Sequence, residues 1–124
     1  MTLELDELLW KTLEVFRDHG GGKGENLDVR TGKVCLVGAL GQAITLLGVH
    51  PSEVTQLGYE AQMSLILTAN ELFPRRNQNQ WYSATSFNDF STTTKDMVEQ
   101  VIEKTAMRAT ELVSSEDDRE PSSV

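Results

Sequence analysis

A chain of 124 residues, 39% of them hydrophobic, has the length of one domain and can bury about two-thirds of the surface its unfolded form exposes. Its net charge of −8, from 19 acidic and 11 basic residues, argues against nucleic acid as a partner, since Arg75-Arg76 is the only adjacent basic pair. One cysteine excludes an internal disulfide, and the acidic, amphipathic start Met1-Thr2-Leu3-Glu4-Leu5-Asp6 is unlike a secretory signal, so the cytoplasm is the expected location.

The first helix is expected from about Leu3 to His19, because Leu5, Leu8, Leu9, Leu13 and Phe16 recur at the spacing of one buried face. Acids early and Arg17 and His19 late suit its dipole, and Gly20 is expected to stop it in a left-handed conformation. The glycine-rich stretch from Gly20 to Gly32 fails as a nucleotide loop. Neither Gly22-Lys23 nor Gly32-Lys33 is followed by Ser or Thr, and a helix rather than a strand precedes it. It fails as a calcium loop too, with Arg30 at a ligand position. A flexible connection is the remaining reading.

Residues 34–47 are apolar on nearly every side, which predicts a buried central helix too short to span a bilayer. Gly38, Ala39, Gly41 and Ala43 would leave it a narrow surface against which a neighbouring helix backbone packs closely. After the Gly48-Val49-His50-Pro51 break, one short helical turn is expected over Pro51–Leu57, interrupted near Gly58. A third helix then spans Tyr59–Phe73 and ends at Pro74.

Trp81, Tyr82, Phe87 and Phe90 are half of the eight aromatic residues and fall in a polar, aperiodic stretch. Either these rings lid the open end of the bundle or some stay exposed as contact anchors. Thr93 with Asp96 resembles a capping box opening the last helix, which Val98, Val101, Ile102, Thr105, Ala109 and Leu112 carry to about Val113. The acidic, Ser/Pro-containing remainder, 114–124, is expected to be a mobile tail. The fold expected is all-α: one compact four-helix domain over 1–113 wrapped around the helix at 34–47.

Candidate chemistry is sparse. Cys35 at a helix N-terminus is a possible nucleophile, and His50 or His19 with Asn88 would complete a Cys-His-Asn set. His50, however, follows the far end of the second helix, roughly 20 Å away at 1.5 Å per residue. A small buried core cysteine is the commoner case. One Cys and two distant His make no zinc site, and no metal or cofactor is expected. Asn88-Asp89 either brace a turn by accepting backbone N–H bonds or supply the polar groups of a small site.

The pattern Gly32-x-x-Cys35-Leu36-x-Gly38-Ala39-Leu40, then Asn88-Asp89 and a Thr-led helix, resembles a small domain of unknown function found in actinobacteria and their bacteriophages. Phe87 stands where that pattern has Trp, and the likeness spans about Leu8 to Ala109. The resemblance implies a phage or actinobacterial origin and a shared fold, with no established activity. The expected function is therefore a cytoplasmic protein-binding accessory protein acting on a host factor through Trp81, Tyr82, Phe87, Asn88, Asp89 and Phe90. Cys35, Gly38, Ala39, Gly41 and Thr93 are expected to be structural. The alternatives are a small enzyme or ligand-binding module using Cys35 or Asn88/Asp89, and a self-associating virion or scaffold component.

Overall fold

Leu8, Leu9, Leu13 and Phe16 are all buried, as their spacing requires, and Thr12 and Val15 join them on the same helix. The computed structural model describes residues 4–23, 27, 30–75 and 80–119, with side chains as far as residue 112. Among these the chain is all-helical: α1 Leu5–His19, α2 Leu36–Leu47, α3 Pro51–Leu72, α4 Ala84–Asp89 and α5 Lys95–Arg119. Five helices replace the expected four. The added one, α4, was hidden in the aperiodic aromatic stretch because six residues are too few to show a helical period. Ser83 and Ser86 start it with a reciprocal capping box.

The helix at the centre is α1, which packs against α2, α3 and α5. Its buried arc is broad enough to meet all three. The expectation of a second helix wrapped on every side is corrected. Only Leu36, Ala39, Leu40 and Ala43, one face at i, i+3, i+4 and i+7, are buried, whereas Gly41, Thr45 and Leu46 face outward. The outward side forms a shallow groove of about 400 Å³ lined by Leu27, Val37, Gly38, Gly41 and Leu46. Apolar composition all round thus did not mean burial all round. A Cβ placed on Gly41 meets nothing within 4 Å, so no neighbouring helix uses the small surface there. Gly41→Ala is accordingly expected to stabilise the protein by about 0.5–1 kcal/mol, raising the midpoint of a thermal melt. A lowered midpoint would mean that this face is covered.

Two helix boundaries also differ from expectation. The α3 helix runs without interruption through Gly58, whose missing side chain leaves room beside Ile44 of α2. His50 caps α3, its Nδ1 accepting the Ser52 backbone N–H at 3.1 Å. At the other boundary, α5 continues past Val113 to Arg119, so the part of the expected mobile tail at 114–119 is helical and 120–124 lie outside the described residues.

Gly20 ends α1 differently from expectation, at φ −75° in extended backbone. Glycine is required there for space, since a Cβ would overlap the Phe16 carbonyl oxygen and ring. Left-handed glycine appears instead at Gly48 (φ 65°), which closes α2.

Polar cross-links join helices far apart in sequence. Trp10 Nε1 donates to Thr110 Oγ1 at 2.9 Å, Arg17 pairs with Glu103 at 3.3 Å, and Lys95 Nζ donates to the Arg17 carbonyl at 2.9 Å. Inside, the Thr68 and Thr105 hydroxyls lie 2.8 Å apart at the α3–α5 contact. On the surface, Arg108 holds the Glu71 carboxyl below the usual carboxylate range, a solvent-screened pair of little weight in stability.

Candidate functional site

Three segments distant in sequence meet at the start of α2. The chain leaving α1 pairs with Val34: the Val34 N–H donates to His19 O at 2.7 Å and the Gly22 N–H to Val34 O at 3.0 Å. This places Cys35 as the N-cap of α2, its sulfur accepting the Gly38 N–H at 3.3 Å. Asn88, on α4, reaches the same point. Its Oδ1 accepts the Leu36 N–H at 3.1 Å, and its Nδ2 donates to Gly22 O at 3.0 Å and to Asp89 Oδ1 at 2.8 Å. Asn88 is 2% exposed, so each of these bonds replaces water that cannot reach it.

Lys23 completes the junction. Its Nζ donates to the carbonyls of Asn88, Phe90 and Thr93 at 2.8, 2.7 and 2.8 Å, spending all three ammonium protons on the turn between α4 and α5. The glycine-rich stretch therefore does have a charged role: it delivers a cation to a backbone turn of this chain. Thr93, its carbonyl held by Lys23, is buried with an unpartnered hydroxyl. The expected capping box is corrected by one residue, for Thr94 caps α5, accepting the Met97 N–H at 3.2 Å.

Beyond the turn lies an aromatic cleft. Asn70 clamps Trp81 from both sides, Nδ2 donating to Trp81 O at 2.9 Å and Oδ1 accepting the Trp81 N–H at 2.6 Å. The indole N–H then donates to Phe73 O at 2.7 Å. Trp81 stands edge-on to Phe87 and to Phe90, with centroids at 5.4 and 5.1 Å, and Phe73 stacks on Phe87 at 6.1 Å. The Arg75 guanidinium lies over Trp81 and Phe90, 5.1 and 5.6 Å from their centroids. Beside them opens a cavity of about 670 Å³ whose wall includes Phe73, Trp81, Phe90, Thr93 and Met97.

The six residues expected to bind a partner therefore divide. Trp81, Phe87 and Asn88 are buried and hold the structure, Asp89 is half-buried beside Asn88, and Tyr82 and Phe90 are exposed, at 80% and 40%. The stretch thus holds both buried and exposed rings. Cys35 is 4% exposed and engaged in capping, which brings it close to Asn88 through the Leu36 backbone, and His50 caps α3 beyond the far end of α2. Sequence reasoning missed Lys23, Asn70 and Arg75 as site residues. No local pattern in the sequence marked them.

Among the described residues no group of three His, Cys, Asp or Glu is placed to hold a metal ion, and no helix is long and apolar enough to cross a membrane. A protein-family model described as a family of unknown function (DUF6197) matches residues 1–108. No curated protein and no solved structure matches the chain.

Proposed function

The chain belongs to this family of unknown function (DUF6197), and from that premise we propose that it is a protein-binding accessory module whose contact surface is the rim made by Tyr82, Phe90 and Arg75. The observation that carries the reading is an exposed pair of rings mounted on a buried scaffold: Tyr82 follows directly on Trp81, which Asn70 clamps, and the Lys23 ammonium anchors the Phe90 carbonyl. With the backbone held beside both rings and the Phe90 ring set edge-on to Trp81, less entropy is lost on binding, which suits these rings as interface anchors. Resemblance to actinobacterial and phage domains supports a host protein as the partner and the host cytoplasm as the setting. An acidic chain is complementary to a basic partner surface, a matter of encounter more than of affinity.

Capture from an actinobacterial lysate on the immobilised chain tests this. One partner is expected on the native protein and not on Tyr82→Ala/Phe90→Ala, each ring contributing about 1–2 kcal/mol or more to binding. Trp81→Ala is a poor control, because Trp81 is part of the scaffold. Equal recovery on both proteins, or none on either, overturns the proposal.

A further inference from the structure

We infer that the cleft beside Arg75 is a binding site for an organic monoacid, a single carboxylate carried on an apolar or aromatic body. The volume, about 670 Å³, lies inside the range of pockets that enclose small organic ligands. Its wall supplies an apolar lining from Phe73, Trp81, Phe90 and Met97. Such a lining takes the body of a ligand and gives it little orientation.

Orientation comes from Arg75. The guanidinium carbon lies 5.1 and 5.6 Å from the Trp81 and Phe90 centroids, which are themselves 5.1 Å apart, so both rings lie to one side of it, and Arg75 lines the cavity with its N–H donors. No described carboxylate lies within ion-pairing distance of it, in a protein with 19 acidic residues. A planar fork of donors at the mouth of an apolar cleft matches a carboxylate, which it can engage by two parallel hydrogen bonds. Charge limits the ligand to one such group. The protein carries −8, so a polyanion is disfavoured on approach relative to a monoanion.

The site does not depend on the protein-binding proposal, because a free acid and the apolar C-terminal end of a polypeptide offer the same chemistry. Titration on a Trp10→Phe background leaves Trp81 as the one fluorescent indole in the cleft wall, with calorimetry on the native chain as the second measurement. Four probes are compared: 3-phenylpropionate, 3-phenylpropionamide, and a tripeptide ending in Phe with a free or an amidated terminus.

Both carboxylates are expected to bind and both amides to bind at least about tenfold more weakly. Whichever carboxylate binds more tightly identifies the source. Arg75→Gln should weaken the acids to the level of the amides in a chain whose helices remain folded by circular dichroism at the titration temperature. Arg75→Lys should restore only part, since an ammonium cannot reproduce the fork. Tyr82→Ala should leave acid binding intact while weakening partner capture, so failure of one proposal is separable from failure of the other. Equal binding of acid and amide, no saturation by either acid, or an unaltered affinity in Arg75→Gln overturns the inference.

Discussion

Asn88→Ala is expected to destabilise the protein by about 2–5 kcal/mol, the largest effect of any single polar substitution in the chain. The substitution removes the acceptor of the Leu36 N–H and the donor to Gly22 O at a position 2% exposed. A buried backbone group left without a partner costs about 1–3 kcal/mol, and here there are two. The thermal midpoint should fall by about 3–6 °C for each kcal/mol lost in a domain of this length. Asn88→Asp should lie between, keeping an acceptor for Leu36 but losing the donor to Gly22 and setting a second carboxylate beside Asp89. A melt unchanged from the native one, together with lost partner or acid binding, would mean that Asn88 acts in recognition and not as a brace.

Lys23→Met should cost about 1–3 kcal/mol, toward the lower end because the ammonium is only partly shielded from water. Its more informative consequence is local. The carbonyls of Phe90 and Thr93 lose their shared donor, so the ring of Phe90 and the cleft wall at Thr93 are no longer fixed by α1's exit loop. Binding at the cleft should weaken in Lys23→Met even at temperatures where the helices remain folded by circular dichroism. Combined with Asn88→Ala the loss of stability should be less than additive, since both side chains hold the same three segments together. Additive losses would show that the glycine-rich stretch and α4 are secured independently.

The junction gives the sequence pattern a physical meaning. Gly32, Cys35, Leu36 and Asn88-Asp89 are spread over nearly half of the chain, yet Cys35, Leu36 and Asn88 converge on the first turn of α2. Phe87, beside Asn88, is 1% exposed and packs against Phe73 and Trp81, so the same short helix braces α2 on one side and backs the aromatic cleft on the other. In this chain Cys35, Leu36 and Asn88 accordingly act as a folding constraint. Arg75 and Phe90 line the cleft that this short helix backs, and Tyr82 is exposed directly after Trp81.

Sequence alone was enough for what depends on local periodicity. The stripes on α1 and α5 placed Leu8, Leu9, Leu13, Phe16, Val101 and Ile102 in the core, because a helix with one apolar face has one way to bury it. Helical class and the ending of α3 before Pro74 follow from the same kind of information. Tertiary structure decided the rest. An all-apolar helix does not announce which of its faces will find a neighbour, and α1's broad arc left α2 at the side. Gly58 reads as a break in isolation but is compatible with a continuous helix where Ile44 packs against it. Lys23 and Arg75 are two cations indistinguishable by sequence. One is consumed by three carbonyls, which no local pattern encodes because its partners lie 65 to 70 residues away, and the other lies against two rings and lines an open cleft.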